Sequence, residues 1–265
     1  MLQLIQQAIL IIGTAIGAAT DAKTGYIYDW ITYPMILLGI ILAIIQQQWI
    51  NLEIATALFA ILFITYKLGK IGGGDVKLFS AIATLNPTNE PMFLFATMFF
   101  AAISAIIFYS VYYTSKYLRN GGNLKENKKG ITKALIFGAI ILIYFALLLG
   151  YGMMRTESTL LIAIPLVFGL LFVAFQEGIT KKFFEAKITL QKLEEDEVIA
   201  EGRNSEKIIK LLKGKQLIGE KEKAILKKAG VKAVYVLRKL PPFGPFILIG
   251  IIAALTQPDF LFFLF

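Results

Sequence analysis

The sequence contains no cysteine and no histidine. The lack of cysteine excludes disulfides, thiolate nucleophiles and cysteine-based metal sites. The lack of histidine excludes Ser-His and Cys-His triads and most zinc and haem sites. Aspartate and glutamate are therefore the side chains best suited to proton transfer, with lysine and tyrosine as weaker candidates. We expect neither a metal nor another cofactor.

Charged residues are also few, whereas apolar residues make up 57% of the chain and the mean hydropathy is +0.70. Several apolar runs reach roughly 18 to 24 residues, enough to cross the hydrocarbon core of a bilayer. The first run has no basic residues before it and no convincing cleavage site, which favours a retained helix over a signal peptide. The sequence predicts an all-α, polytopic membrane helix bundle with apolar segments at 2–20, 31–47, 54–70, 76–86, 91–114, 132–152, 158–175 and 244–263.

The fourth apolar segment, 76–86, is only 11 residues long and ends at Pro87. As a helix it would span about 16 Å, less than the hydrocarbon core of about 30 Å. We count it as a short crossing because eight crossings place 26 of the 27 Lys and Arg residues on the cytoplasmic side, with only Arg155 outside. The alternative is a re-entrant segment and an odd number of crossings. The net charge of +9 is thus explained by topology, and no nucleic-acid partner is expected.

One long polar segment, 176–241, carries sixteen basic and ten acidic residues. Between Glu206 and Lys228 apolar residues are interspersed with lysines, which predicts short amphipathic helices lying on an anionic membrane surface. A small charged cytoplasmic subdomain packed on itself is the alternative interpretation.

Two aspartates lie at the ends of apolar runs, where an ionisable residue is by default a functional candidate. Asp21 ends the first run, and Asp75 follows three glycines, 72–74, at the start of the fourth. The glycines allow close approach of an extended peptide, and Asp75 is expected at or near a helix N-cap. Two facing carboxylates can share one proton and act as base and acid on a peptide bond. The alternatives are a simple helix cap for Asp75 and a surface pair with Lys23 for Asp21.

The surroundings of both aspartates resemble those in type IV prepilin peptidases. Residues 21–32, Asp-Ala-Lys-Thr-Gly-Tyr-Ile-Tyr-Asp-Trp-Ile-Thr, are similar to the aspartate-containing loop of that family, although Tyr28 replaces the usual proline. Residues 72–78, Gly-Gly-Gly-Asp-Val-Lys-Leu, resemble the family's Gly-x-Gly-Asp-x-Lys-Leu/Met block. The separation of 54 residues between the aspartates also fits, and the resemblance covers residues 1–115.

The resemblance implies a membrane aspartic endopeptidase that removes short basic leaders from prepilin or preflagellin (archaellin) precursors at the cytoplasmic face of the cell membrane. Asp21 and Asp75 align with the family's catalytic pair, and Gly72, Gly73 and Gly74 with its supporting active-site loop. Bacterial members often carry a cysteine-rich loop and N-methyltransferase activity. This chain has no cysteine and little sequence before Asp21, which implies the short, peptidase-only archaeal type.

Two charged neighbours are candidates for supporting roles. Asp29 is either a contact for the basic leader or a plain interfacial anion. Lys77 either orients Asp75 or is a positive-inside lysine that extends its amine toward the interface. The rival function is an ion- or proton-coupled transporter that binds a cation with Asp21 and Asp75. Against it, both aspartates lie at one membrane face, and the two halves of the chain show no repeat.

The expected organisation has four regions. They are a membrane catalytic region over 1–115, further transmembrane helices and a basic loop over 116–175, the charged cytoplasmic helical segment over 176–241, and a C-terminal transmembrane helix over 242–265. The expected partners are a precursor protein and membrane lipid. The sequence indicates neither the oligomeric state nor which aspartate carries the shared proton.

Overall fold

The structure is a computed structural model that describes residues 1–194, 197–200, 202–213, 215–237 and 240–257. Eight apolar helices lie where the apolar runs predict them, which confirms the polytopic membrane bundle. Their bounds are α1 (Leu2–Thr24), α2 (Asp29–Ile45), α3 (Trp49–Lys67), α4 (Gly73–Thr84), α5 (Pro91–Arg119), α6 (Lys128–Gly150), α7 (Thr156–Ile179) and, after a small domain, α10 (Gly244–Thr256).

The helices differ in whether they are long enough to cross a bilayer. Within the described part of the chain, five of them are long and apolar enough by length and composition: α1, α3, α5, α6 and α7 with its continuation. Helices α2 and α10 are apolar but have only 17 and 13 residues, and α4 has 12. A 12-residue helix is about 18 Å long. The count of eight crossings therefore stays a prediction, and the predicted C-terminal helix over 242–265 is described only to residue 257.

Helix α4 occupies the centre of one half of the bundle, where it packs against α1, α2 and α3. Every residue from Leu78 to Thr84 is buried. At Gly39 of α2 an added Cβ would lie 2.3 Å from Oγ1 of Thr84, so the two helices approach closely. A helix surrounded by other helices has little lipid contact, and its position is set by packing more than by bilayer thickness.

A cluster of buried amide side chains fixes the end of α4 that is remote from Asp75. Gln6 Nε2 donates to Gln48 Oε1 (3.0 Å), and Asn51 Nδ2 donates to the same oxygen (3.2 Å). Asn86 Nδ2 in turn donates to Asn51 Oδ1 (3.2 Å). Polar groups inside a membrane bundle must find partners within the protein. The cluster thus ties the end of α4 to α1 and α3.

The last apolar helix lies beside the first. Helix α10 packs against α5 and α1. An added Cβ at Gly250 would lie 2.3 Å from the backbone oxygen of Thr97, and one at Gly244 would lie 3.1 Å from Cα of Ala18. Small residues permit this kind of close backbone contact between membrane helices. The arrangement brings the start of α10 to the end of α1.

The prediction of a helical charged segment over 176–241 is wrong in part, because this segment contains a β-sheet. Four antiparallel strands have the order β1-β4-β2-β3. We call residues 185–237 the charged domain. Its elements are β1 (Glu185–Thr189), β2 (Glu197–Ile199), α8 (Glu206–Leu211), β3 (Leu217–Ile218), α9 (Glu220–Lys228) and β4 (Ala233–Leu237).

The charged domain has its own hydrophobic core. Leu212, Ile218 and Leu226 belong to the stretch whose pattern predicts amphipathic helices on a membrane surface. In the structure they pack in this core with Val234 and Val236 of β4. The alternative interpretation, a subdomain packed on itself, is confirmed. The apolar side chains among the lysines therefore stabilise a protein core.

The charged domain contacts the end of the bundle that carries the two aspartates. A π-helical turn, Thr180–Phe184, continues α7 directly into β1. The Phe184 ring lies 4.8 Å from the ring of Tyr113 in α5. On another side, an added Cβ at Gly69, in the connection between α3 and α4, would lie 3.6 Å from Val198 of β2. The domain thus adjoins the loop that leads to Asp75.

Candidate active site

Asp21 lies in the last turn of α1 and is buried, with 7% of its surface exposed. The helix ends at Gly25, which has a φ of +76° and donates its N–H to the Asp21 carbonyl (2.8 Å). The backbone N–H of Gly244 donates to Asp21 Oδ2 at 2.7 Å, and the backbone of Phe243 makes a further hydrogen bond to this carboxylate. Asp21 is thus a buried, hydrogen-bonded carboxylate and not the surface aspartate of the alternative interpretation.

Asp75 lies in the first turn of α4, close to the predicted position. The helix begins at Gly73 with Gly72 as its N-cap, so Asp75 is the third helical residue. Its carboxylate turns back toward the helix start and is hydrogen-bonded by the backbone of Gly72. A Cβ at Gly72 would lie 3.0 Å from Asp75 Oδ2. As a whole residue Asp75 is partly exposed, although protein atoms surround most of its carboxylate.

The glycines before Asp75 serve contacts within the protein. An added Cβ at Gly74 would lie 2.9 Å from Cβ and 3.1 Å from the backbone oxygen of Ile27, in the connection between α1 and α2. One at Gly73 would lie 3.3 Å from the ring of Tyr66. The expectation that this room accommodates a substrate is therefore wrong at Gly74, where Ile27 fills it. The contact brings the end of α1 against the start of α4.

As a result, Asp21 and Asp75 lie at the same end of the bundle. Their carboxylates are near enough for their charges to interact. Two carboxylates in one low-dielectric site do not both ionise readily, and such a pair tends to hold one proton between them. A pair of this kind can supply both a proton acceptor and a proton donor.

The two charged residues proposed for supporting roles are joined to each other. Lys77 forms an ion pair with Asp29, and its amine lies 5.0 Å from the centre of the Tyr33 ring. Asp29 opens α2 and Lys77 lies in α4, so the pair links these helices. The partner of Lys77 is thus Asp29 and not Asp75, which the sequence did not indicate.

Sequence reasoning missed a group of residues next to Asp21. Phe243 and Gly244 approach it from α10, and the Tyr109 hydroxyl donates a hydrogen bond to the backbone oxygen of Pro242. The sequence does contain a signal for this helix start. An apolar run directly follows residues 241–245, Pro-Pro-Phe-Gly-Pro, and prolines are common at the first positions of a helix. With eight crossings, that start falls on the same membrane face as the end of α1.

Comparison with known families gives a match over residues 8–108, to the model of the type IV leader peptidase family. This region belongs to that family. The match contains both aspartates, the three glycines and helices α1 to α4 almost entirely. Searches of curated proteins and of solved structures find no match. The family indicates a peptidase that processes prepilin-like precursors, and the apolar helices make it a multi-pass membrane protein.

Proposed function

We propose that Asp21 and Asp75 are the catalytic pair of an aspartic endopeptidase that cuts short basic leaders from type IV prepilin-like or preflagellin precursors. The observation that carries this proposal is the meeting of the two carboxylates at one end of the bundle. The two aspartates lie 54 positions apart in the sequence, at the end of α1 and the start of α4, and their charges interact. Membership of residues 8–108 in a leader peptidase family supports the same assignment.

The pair supplies the proton transfers that peptide hydrolysis requires. The ionised carboxylate removes a proton from a water molecule, and the oxygen of that water attacks the scissile carbonyl carbon. The protonated carboxyl donates its proton to the carbonyl oxygen, and a tetrahedral intermediate forms. When the C–N bond breaks, the carboxyl that took the water proton gives it to the leaving amine, and the other carboxylate takes a proton from a hydroxyl of the intermediate as the carbonyl of the new carboxylic acid forms. Each carboxyl group thus returns to a state ready for another cycle.

The side of the membrane follows from the charge distribution. The basic loop after α5 and the charged domain lie at the same end of the bundle as Asp21 and Asp75. Basic segments remain on the cytoplasmic side. We therefore place cleavage at the cytoplasmic face of the cell membrane, where a precursor held by its hydrophobic segment presents its leader.

We further propose that cleavage is not followed by N-methylation by the same chain. The cysteine-rich loop of bacterial members with methyltransferase activity requires cysteines, and this sequence has none. Mass spectrometry of the mature product, made by the purified protein in the presence of an added methyl donor such as S-adenosylmethionine, should show an unmodified N-terminus. A methylated N-terminus in that reaction would contradict this part of the proposal.

The hydrogen bonds of Asp21 favour the peptidase over the transporter. Gly244 and Phe243 occupy the Asp21 carboxylate with backbone donors, which leaves fewer lone pairs for a cation. A carboxylate that binds Na⁺ or a similar ion needs those lone pairs for coordination. The donors instead suit a group that must keep one orientation while it exchanges a proton.

The proposal is tested by incubating membranes that contain the protein with a panel of full-length precursors and following the mobility shift on cleavage. Asp21→Asn and Asp75→Asn should each lower the cleavage rate by about 100-fold or more, because an amide neither accepts nor shares the proton. Both variants should still insert and accumulate. Asp29→Asn removes a neighbouring charge without removing either member of the pair and should reduce cleavage only modestly. If either the Asp21→Asn or the Asp75→Asn variant kept full cleavage activity, the proposal of a catalytic pair would be refuted.

A further inference from the structure

The start of α10 contacts Asp21, although Gly244 and Asp21 lie 223 positions apart in the sequence. We propose that this helix start, Phe243 and Gly244, is a positioning element for Asp21, and that Tyr109 holds it in place through the Pro242 carbonyl. The inference rests on the proposed function, because it assigns residues that act through a catalytic aspartate. These residues lie outside the range 8–108 that matches the family.

The local environment of Asp21 shows why a positioning element is needed. A carboxylate in the last turn of α1 faces the negative end of the helix dipole and the unpaired carbonyls there, which disfavours an anion. The first turn of α10 has the opposite character, since its backbone N–H groups lack partners within the helix. The hydrogen bond of 2.7 Å from Gly244 to Asp21 Oδ2 joins the two ends. Helix α10 therefore offsets the unfavourable position of Asp21 in α1.

The hydrogen bond depends on close contact at Gly244. An added Cβ would lie 3.1 Å from Asp21 Oδ2, 3.2 Å from Asp21 Cβ and 3.1 Å from Cα of Ala18. Two of these neighbours are a helix backbone atom and a side-chain carbon held close to it, so neither moves aside easily. A side chain at position 244 would push α10 away from α1 and lengthen the hydrogen bond.

Aromatic residues hold the same segment from two further sides. The Tyr109 hydroxyl of α5 donates to the Pro242 carbonyl, and the Tyr109 ring lies 5.0 Å from the ring of Phe246. The Phe243 ring lies 6.2 Å from that of Phe79, which follows Asp75 by one turn of α4. The segment thus contacts the helices of both aspartates and fixes the position of Asp21 relative to Asp75.

Weakening this element has a consequence that general destabilisation does not have. Backbone donors stabilise the charged form of the carboxylate they bind, so their loss makes the pair release its proton at higher pH. The pH dependence of cleavage should then move to higher pH. A displaced catalytic group should also lower kcat with little change in KM, because the substrate still binds.

The experiment compares the pH profiles of kcat and KM for two variants with those of two matched controls, using purified full-length protein and a precursor that the wild type cleaves. Gly244→Ala should lower kcat by about 10-fold, because its Cβ requires α10 and α1 to separate by less than the displacement of about 1 Å that costs about 100-fold. Tyr109→Phe keeps the ring and removes only the hydroxyl, and should lower kcat by roughly 3- to 10-fold, in line with a lost hydrogen bond of about 1 kcal/mol. Both profiles should move to higher pH.

The controls separate positioning from packing. Gly138→Ala brings a Cβ to 3.4 Å from Cδ1 of Leu170, between α6 and α7 and without contacting α10 or Asp21, and Tyr112→Phe removes an exposed hydroxyl from the neighbouring part of α5. Neither should move the pH profile. A wild-type profile in Tyr109→Phe, or an equal movement in Gly138→Ala, would overturn the inference. If Gly244→Ala does not accumulate, Tyr109→Phe decides the question. Failure of the proposed function is distinct, since Asp21→Asn and Asp75→Asn would then remain active.

Discussion

Lys77 and Asp29, which lie 48 positions apart, form an ion pair that joins the N-terminal half of α4 to the first residue of α2. The contact between Gly74 and Ile27 joins the same two segments. Together they hold the loop after α1 against the start of α4, and so they determine how Asp21 and Asp75 meet. Because the Asp29 charge is already matched by Lys77, a basic leader that uses Asp29 has to compete with an internal cation.

A charge exchange tests this relationship. Lys77→Asp and Asp29→Lys should each lower the cleavage rate several-fold, because each places two like charges in contact. The double variant should recover most of the activity, since it restores the pair in reverse. Rates of precursor cleavage for all four proteins form a double-mutant cycle. A double variant as poor as the single ones would instead indicate that Asp29 or Lys77 contacts the substrate directly.

The contact at Gly74 gives a steric prediction. Gly74→Ala should lower cleavage by at least about 10-fold, because its Cβ would lie 2.9 Å from Cβ of Ile27 and the aspartates would separate. Gly17→Ala is the matched control, since its Cβ would meet the same residue at an ordinary distance of 3.5 Å. Cleavage rates are to be compared at equal amounts of inserted protein. Equal activity of the two variants would contradict the role assigned to Gly74.

The sequence was sufficient for features that depend on neighbouring residues. Apolar runs located the eight helices, and the Gly-Gly-Gly-Asp motif located a helix start with a carboxylate in its first turn. Contacts between distant segments were not predictable in the same way. The partner of Asp21 lies 223 residues away, and β2 and β3 have only three and two residues, too few to show an alternating pattern.

The predicted topology is testable because the chain has no native cysteine. Single cysteines at Glu126 and Ser205, both exposed, should react with an impermeant maleimide only after the membrane is opened. A cysteine at Thr156, also exposed, should react in intact cells or spheroplasts. Position 121 is less suitable, because Gly121 has a φ of +75° and a side chain there would be strained. Labelling of position 126 from outside would refute the eight-crossing topology.

The charged domain should lose stability in acid through Glu222. The hydrogen bond from the Lys215 amine (2.7 Å) lowers the pKa of Glu222 below its ordinary value of 4.5. The unfolded chain therefore binds this proton more tightly, so the stabilisation is complete above pH 4.5 and is lost as the pH falls through the lowered pKa. Hydrogen exchange of β3 and α9 in the full-length protein, measured against pH, should show this loss.

Replacing Glu222 tests this prediction in the same hydrogen-exchange measurement. Glu222→Gln should weaken the domain by about 1 kcal/mol at neutral pH and flatten its response below pH 4.5, because the amide has no charge to lose. Glu220→Gln removes an exposed charge from the same helical turn and serves as the matched control. An unchanged acid response in Glu222→Gln would show that another group is responsible.

The distance in sequence between Asp21 and Gly244 also sets the order in which the active site is completed during synthesis. Gly244 follows Asp75 by 169 residues, which a ribosome adds in about 10 to 30 s. In that interval both aspartates have already been synthesised, whereas Gly244, whose backbone N–H donates to Asp21, has not. If α10 positions Asp21 as we propose, the nascent chain reaches full activity only when the charged domain has been made and α10 docks against α1.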